Sequence, residues 1–356
     1  MISQLCTRLV RGEGVYSPTV YATRDERGGM VRMKAVTVEE FGEPEVLRHE
    51  EVERPSPGEG EVLLEVKSAG INYADTMRRR NQYVERQELP FTPGSEVAGL
   101  VAEVGSGVEN VSVGDRVVTL LGTGGYAQYA IAPAANVIPL PEGLGFDEAA
   151  AIPLQGLTAY HCIKTSGALK PGESVLVHAA AGGVGTLAIQ MTKLLGAGTV
   201  IATASSSEKL DLAKSLGADV LIDYTKDGWV DKVREATGGK GADVILEMVG
   251  GDFLTQNLKC LAIFGRMVVF GAASGERGSI VPVDLMKRCH AVVGFYLPQI
   301  MSRPDLLGPS LKEILGWIST GEVKLTIGAT YPLEKAAEAH ADLEGRRTTG
   351  KLLLNP

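Results

Sequence analysis

The chain has 356 residues, 44% of them hydrophobic and 22% charged, which is the composition of a globular protein and a length sufficient for two domains. Its formal net charge of −8 argues against a nucleic-acid partner, because binding to phosphates needs clustered Lys and Arg. No apolar run approaches the roughly 20 residues of a membrane-spanning helix, so we expect no membrane partner.

The first 32 residues differ from the rest of the chain. They contain five Arg and three acidic residues, and they lack the apolar core of a secretory signal. An Arg-bearing transit peptide is one interpretation, although the acidic residues count against it. We favour a poorly ordered extension or a wrongly assigned start, because "MKAVTVEEFG" from Met33 has the pattern of a natural beginning.

Two different sequence patterns follow along the chain. Residues 33–155 contain short Val-rich runs between Gly/Pro turns, such as "EVLLEVKSAGI" and "EVAGLVAEVG", and these predict a β-rich domain. Residues 156–322 contain apolar strands that alternate with helices, which predicts an α/β domain with a doubly wound parallel sheet. Residues 323–356 return to shorter elements, so we expect them to rejoin the first domain.

A glycine-rich turn follows the first strand of the α/β domain, in "VLVHAAAGGVGTLAIQ". It matches the Rossmann fingerprint GxGxxG at Ala180, Gly182 and Gly185, so alanine replaces the first glycine. Gly182 lets the backbone approach a diphosphate, Gly185 lets the helix pack close to the strand, and the free amides at the helix start favour an anion. Tight packing alone would also place small residues here, but the strand–turn–helix context favours a dinucleotide site.

The second strand of this domain, "TVIATA", indicates which dinucleotide binds. It ends at Ala204, where an enzyme that uses NAD would carry a carboxylate for the ribose 2′-hydroxyl. The residues that follow include Ser205, Ser206 and Lys209, which offer hydroxyls and a cation to a 2′-phosphate, so we predict NADPH. The alternative is that Ser206 only caps the next helix and Lys209 faces solvent.

The segment "GESVLVHAAAGGVGTLAIQMTK" resembles the signature of the zinc-independent NADPH:quinone oxidoreductase (ζ-crystallin-like) family of the medium-chain dehydrogenase/reductase superfamily. The resemblance extends from Met33 to Leu354. It implies a GroES-like catalytic domain, a Rossmann domain that binds NADPH, and a homodimer joined through "AVVGFYL".

Zinc-containing members of the superfamily resemble this chain but differ at the metal. They carry a Cys in the region of "GINYAD" and a His–Glu pair where this chain has Ser95 and Glu96. The five histidines stand at no ligand spacing, so we expect no metal site. The four cysteines form no CxxC pair, which indicates a reducing, cytoplasmic location.

The same resemblance implies the site residues. It implies that Asn72 and Tyr83 contact a quinone, and that Asp75 orients their loop or a neighbouring Arg. Met77 stands where the family often has a second Tyr. The residues expected at the cofactor are Thr158, Ala180, Gly182, Gly183, Val184, Gly185, Ser205, Ser206, Lys209, Tyr224, Phe270, Gly271, Phe295, Tyr296, Arg346 and Lys351. Phe270 and Phe295 fall on predicted apolar strands, where packing would also explain them.

The expected reaction is metal-free hydride transfer from NADPH to a quinone or a similar electron-poor acceptor, whose oxyanion is stabilised by resonance. Two alternatives stay open. A reductase of enones or 2-enoyl thioesters would use Tyr83 to protonate the enolate carbon. A non-catalytic, crystallin-like structural protein would bind NADPH without turnover.

Overall fold

The computed structural model of the chain describes residues 30–356 and the short strand Tyr21–Ala22. The expectation of a disordered extension or wrongly assigned start over residues 1–32 therefore lies almost wholly outside the described residues. The chain divides into two compact units, one made of the residues up to Leu154 together with Ile327–Pro356, the other of Gln155–Thr326. Over the described part of the chain, no helix has both the length and the apolar character needed to cross a membrane.

The first unit is built mainly from antiparallel strands, numbered here through the whole chain. Its strands are β1 (Tyr21–Ala22), β2 (Arg32–Val38), β3 (Leu47–Glu53), β4 (Pro55–Ser56), β5 (Glu61–Ile71), β6 (Glu96–Val104), β7 (Arg116–Leu120), β8 (Tyr129–Pro133), β9 (Ile138–Pro139), β16 (Ile327–Pro332) and β17 (Lys351–Asn355). The largest sheet runs β16-β17-β5-β6-β7-β9, with β8 beside β5. Because β17 pairs with β5, the C-terminal segment is part of this sheet.

Among its described residues, the first unit contains the α-helices α1 (Tyr73–Arg79), α2 (Phe146–Ala150) and α11 (Ala336–Glu344). The segment that begins after β5 was expected to be a loop, and that was wrong for its first part, where α1 lies. Helix α3 (Pro153–His161) contains the division between the two units.

The second unit contains a six-stranded parallel sheet in the order β12-β11-β10-β13-β14-β15. The strands are β10 (Ser174–Val177), β11 (Thr199–Ala204), β12 (Val220–Asp223), β13 (Ala242–Glu247), β14 (Leu261–Val269) and β15 (Ala291–Gly294). The helices are α4 (Gly183–Leu194), α5 (Ser207–Ser215), α6 (Trp229–Ala236), α7 (Phe253–Cys260), α8 (Pro282–Met286), α9 (Leu297–Met301) and α10 (Pro304–Ser319). The predicted α/β fold is confirmed, and its strand order reverses beside β10, where such sheets bind ligands.

Candidate functional site

The glycine-rich turn joins β10 to α4. After β10 ends at Val177, Ala179 adopts a left-handed conformation with φ of 48°. The N–H of Gly182 donates to the carbonyl oxygen of Ala179 at 2.8 Å, and Gly182 then forms the N-cap of α4. Because the first N–H groups of a helix have no intrahelical partner, the turn presents them at the reversal point of the sheet.

The glycines of this turn keep side chains away from those N–H groups. A Cβ atom on Gly185 would lie 2.4 Å from the carbonyl oxygen of Ala179, so only glycine permits this close packing of helix on strand. On Gly183 a Cβ would lie 2.1 Å from the side-chain amide of Gln155, and on Gly182 the nearest atom would be 3.2 Å away. The residues therefore fit a dinucleotide, whose diphosphate needs exposed backbone donors.

A buried polar network supports the turn from the ends of three strands. His178 Nδ1 lies 2.8 Å from the hydroxyl of Thr203, and its Nε2 lies 2.8 Å from Oδ1 of Asn257. Asn257 donates to Glu247, which also accepts the N–H of Gly250 at 2.7 Å. Burial lowers the pKa of His178, so the ring is neutral and holds the carboxyl ends of the strands together.

The carboxyl end of β11 is where the cofactor's 2′-phosphate was predicted. The strand ends at Ala204, and the hydroxyl of Ser206 accepts a hydrogen bond from the N–H of Lys209 at 3.4 Å. Ser206 is thus the cap of α5, as the alternative interpretation held, while Ser205 and Lys209 are half-buried beside it. Asp223 pairs with Ala204 on the neighbouring strand, and its carboxylate accepts hydrogen bonds within its own turn.

The aromatic residues expected at the cofactor lie near other strand ends. Phe270 and Phe295 are half-buried and directly follow β14 and β15, so their placement on the strands was wrong by one residue. Gly271 and Tyr296 come next at the same edge. Tyr224 packs edge-on against Phe253 at 5.7 Å, a contact that belongs to the core of the unit.

A separate polar cluster lies in the first unit, around Glu96. The ammonium group of Lys351 is 1% exposed and pairs with Glu96, and it also donates to Oδ1 of Asn72 at 2.8 Å. Nδ2 of Asn72 donates to Glu96 at 2.9 Å and to the carbonyl oxygen of Gly70 at 3.3 Å. The other oxygen of Glu96 accepts the N–H of Leu154 at 2.9 Å. Both protons of the Asn72 amide are therefore used inside the chain.

Asp75 is the centre of a second part of this cluster. Its carboxylate accepts hydrogen bonds from the N–H of Asn72 and the hydroxyl of Ser95, both at 2.9 Å, and from the hydroxyl of Tyr126 at 3.2 Å. Ser95 in turn accepts from Arg78. Burial raises the pKa of Asp75, against the opposing effects of Arg78 and these hydrogen bonds. Asp75 therefore contacts the first residue before helix α1 directly and Arg78 through Ser95.

The cluster continues to helix α11 through His340. Nε2 of His340 lies 3.1 Å from the hydroxyl of Tyr126, and Nδ1 lies 3.2 Å from the guanidinium of Arg79, which also pairs with Glu344. Burial, followed by the nearby arginines, lowers the pKa of His340 to about 3. The neutral ring accepts from Arg79 on one side and donates to Tyr126 on the other.

Tyr83 lies in the first unit and is half-buried. It is the tyrosine that we expected to contact the substrate. The guanidinium of Arg78 lies over its ring, 4.4 Å from the centroid. This contact joins Tyr83 to the Asp75 part of the cluster, because Arg78 also contacts Ser95.

Comparisons with known proteins agree with this architecture. Residues 58–142 match the alcohol dehydrogenase GroES-like domain family, and residues 183–310 match the zinc-binding dehydrogenase family. Human quinone oxidoreductase is 37% identical over 331 residues, which is 92% of this chain and 98% of that protein. The chain belongs to the quinone oxidoreductase family of the medium-chain dehydrogenase/reductase superfamily. It is therefore an oxidoreductase, and the expected membership is confirmed.

Solved structures of quinone oxidoreductases extend the match. The Escherichia coli quinone oxidoreductase, solved in complex with NADPH, is 35% identical with a TM-score of 0.86, over 91% of this chain and all of that one. A mycobacterial protein solved in complex with NADPH is 39% identical with the same TM-score and coverage.

The residues predicted for a quinone oxidoreductase site fall into two groups. Around the carboxyl edge of the parallel sheet, and on α3, the second unit carries Thr158, Ala180, Gly182, Gly183, Val184, Gly185, Ser205, Ser206, Lys209, Tyr224, Phe270, Gly271, Phe295 and Tyr296. The first unit carries Asn72, Asp75, Tyr83, Arg346 and Lys351. Sequence analysis assigned no role to Gln155 or His178, and it did not indicate that Lys351 pairs with Glu96. His178 alone carried a local signal, since it directly follows an apolar strand.

Proposed function

We propose that this chain is an NADPH-dependent reductase that transfers hydride to quinones or similar electron-poor acceptors. The observation that carries the proposal is the turn from β10 to α4, which offers the backbone N–H groups of Gly183, Val184 and Gly185 at the reversal point of the sheet. Relatives and structural neighbours named quinone oxidoreductase support the acceptor class.

NADPH is the proposed cofactor for two reasons. The end of β11 carries Ala204 rather than a carboxylate, and Ser205 and Lys209 stand beside it. A lysine and hydroxyls suit a 2′-phosphate, whereas a ribose hydroxyl is usually held by an acidic residue. The two neighbours solved with NADPH point the same way.

The chain's own residues bind and orient, while NADPH supplies the hydride when bound. Helix α4 holds the diphosphate by its N-terminal amides, and the residues after β14 and β15 hold the nicotinamide end. Because both protons of the Asn72 amide are used by Glu96 and Gly70, Tyr83 is the stronger candidate for the hydrogen bond to a quinone oxygen. Asn72 then acts as a positioning residue at the start of α1.

The reaction proposed here needs no metal. Glu96 is paired with Lys351, and the Ser95 hydroxyl is bonded to both Arg78 and Asp75. No oxygen of either side chain is therefore left for a metal ion. The described residues hold no group of three His, Cys, Asp or Glu side chains with metal-site geometry. A quinone also needs less electrophilic assistance than an alcohol, whose oxidation must stabilise an alkoxide.

Reduction of an activated C=C bond is the second candidate. Tyr83 favours it, because this half-buried phenol, packed against the Arg78 guanidinium, is of the residue type that such a reaction needs to protonate the enolate carbon. The test measures NADPH oxidation by the chelator-treated chain with a benzoquinone, an enone and a 2-enoyl thioester. We expect the quinone to react fastest and the chelator to have no effect.

A variant separates the two candidates in the same assay. Tyr83→Phe should slow quinone reduction about tenfold, but enone reduction by about 100-fold or more if the phenol is the proton donor. Tyr129→Phe is the matched control, since Arg54 lies 4.4 Å over that ring in the same manner. Turnover restricted to the enone or thioester would make the chain a C=C reductase, and NADPH binding with no turnover would make it a crystallin-like binding protein.

A homodimer in a reducing, cytoplasmic setting completes the proposal. Strand β15 lies at the edge of its sheet, and exposed apolar residues cluster near it: Ile263, Phe264, Val281, Val283 and Met286. A second copy paired along β15 would cover this surface. Analytical ultracentrifugation should give a dimer mass at micromolar concentration, and Phe264→Glu should shift it towards monomer; a wild-type monomer would contradict the pairing.

A further inference from the structure

Gln155 lies against the first residue of helix α4. Its side chain is 8% exposed, and its amide oxygen and nitrogen both lie 2.1 Å from the point where a Cβ of Gly183 would stand. The amide carbon lies 2.3 Å from the same point. The amide group is therefore flat against Gly183, immediately beside the backbone donors of the turn.

The amide of Gln155 has no hydrogen-bond partner among residues 30–356. Gln190 provides the comparison, because it is a buried glutamine on α4 itself. Its amide donates to the carbonyl oxygens of Thr186 at 2.9 Å and Lys324 at 3.0 Å, and accepts the N–H of Lys324 at 2.8 Å. Neither polar atom of the Gln155 amide is fully enclosed by protein, so the amide stays accessible to solvent and to a ligand at the turn. Gln155 thus has hydrogen-bonding capacity that the chain itself does not use.

We propose that the Gln155 amide donates a hydrogen bond to the diphosphate of the bound dinucleotide. This inference rests on the proposed function, because it uses the same turn. An amide N–H is a suitable donor to a phosphate oxygen, and it would supplement the backbone donors of α4. Glycine at position 183 leaves room for the Gln155 amide and leaves the backbone donors of α4 uncovered, since a side chain there would displace the amide and cover the helix terminus.

The experiment compares three ligands by isothermal titration of the full chain: NADPH, 2′-phospho-ADP-ribose, which keeps the diphosphate, and adenosine 2′-monophosphate, which has no 5′-phosphate. Gln155→Ala should weaken binding of the first two about tenfold or more and leave binding of adenosine 2′-monophosphate unchanged. Gln155→Glu, which is nearly the same size, should weaken the first two by about 100-fold, because a carboxylate beside the diphosphate adds repulsion.

Gln190→Glu is the matched control. It breaks a satisfied amide network on the same helix, so it should lower the melting temperature without changing the dissociation constant for NADPH. The proposal is overturned if Gln155→Ala binds NADPH within twofold of the wild type. It is also overturned if adenosine 2′-monophosphate loses as much affinity as NADPH, because the effect would then come from the fold.

The titration contains no acceptor, so it separates this inference from the proposed function. Tight NADPH binding that depends on Gln155, with no reduction of any quinone, would count against the proposed function alone. Quinone reduction by a chain whose NADPH affinity ignores Gln155 would count against this inference alone.

Discussion

The polar cluster of the first unit and the glycine turn of the second differ in how their polar groups are used. Around Glu96 and Asp75, side chains are paired with one another: Lys351 with Glu96, Ser95 with Asp75, and His340 with Tyr126. At the turn, the amides of α4 and the side chain of Gln155 are left for a ligand. The first arrangement fixes a scaffold, so its loss should reduce stability; the second binds, so its loss should reduce affinity.

The largest expected effect comes from breaking the buried pair in the first unit. Lys351→Met leaves Glu96 buried without its cation, which should lower the free energy of unfolding by about 3–5 kcal/mol. Urea denaturation measures this change. The double variant Lys351→Met/Glu96→Gln should recover most of the loss, because no unpaired charge remains.

The exposed pair Arg303–Asp305 is the control for that prediction, since both side chains are more than half exposed. Arg303→Met should change the free energy of unfolding by less than about 1 kcal/mol. Equal losses of unfolding free energy for Lys351→Met and Arg303→Met would contradict the prediction, because they would show that the buried pair is no more sensitive to loss of its cation than the exposed one.

A smaller effect should separate two glycines of the turn. Gly185→Ala forces a Cβ against backbone atoms that cannot move, so it should cost about 1–3 kcal/mol of stability. In Gly183→Ala the atoms nearest to the new Cβ belong to the end of the Gln155 side chain, which can swing away, so this variant should fold well but bind NADPH more weakly.

A double-mutant cycle sharpens this prediction. Because Gly183→Ala acts by displacing the Gln155 amide, adding Gln155→Ala should cause less further loss of NADPH affinity than it causes alone. Titration of the wild type, both single variants and the double variant measures the coupling. Fully additive losses would mean that the two residues act independently.

The final prediction concerns pH. The pKa of His340 is lowered to about 3 by burial, so the unfolded chain takes up the proton first as the pH falls. Stability should therefore decrease from about pH 6.5 towards pH 3, by at most about 1.4 kcal/mol per pH unit for this residue. His161 and His178 act in the same direction, whereas Asp75, whose pKa is raised, acts in the opposite one.

His340→Gln isolates that contribution. Glutamine can accept from Arg79 and donate to Tyr126 without titrating, so stability measured between pH 7.5 and 4.5 should show a shallower dependence than the wild type. An unchanged slope would contradict the assignment of a neutral, buried His340.

The site of the second unit was largely predictable because its signals are local. The strand, the turn from Ala180 to Gly185 and the helix are contiguous, and their periodicities predict a parallel sheet with a ligand at one edge. The absence of a carboxylate at the end of β11, where Ala204 stands, was a local signal as well. Phe270 and Phe295 were expected on β14 and β15, but each strand ends one residue before them. An apolar run continues past the end of a strand and therefore marks that end poorly.

The cluster of the first unit was less predictable because its partners are distant in sequence. Lys351 and Glu96 are separated by 255 residues, and no periodicity indicates that they meet. Helix α1 carried a signal that was missed: Asn72 followed three residues later by Asp75 is the spacing of a capping box, and Asp75 does accept the N–H of Asn72. Gln155 gave no local signal, since only the fold brings it to Gly183.

The central claim is that this chain binds NADPH at the turn and reduces quinones without a metal. The most direct test is the ratio of kcat/KM for NADPH to that for NADH, measured with one benzoquinone in the presence of a chelator. We expect a ratio of about ten or more, because Lys209 and Ser205 are proposed to contact the 2′-phosphate, with no loss of rate in the chelator. Preference for NADH, or activity that the chelator removes, would contradict it.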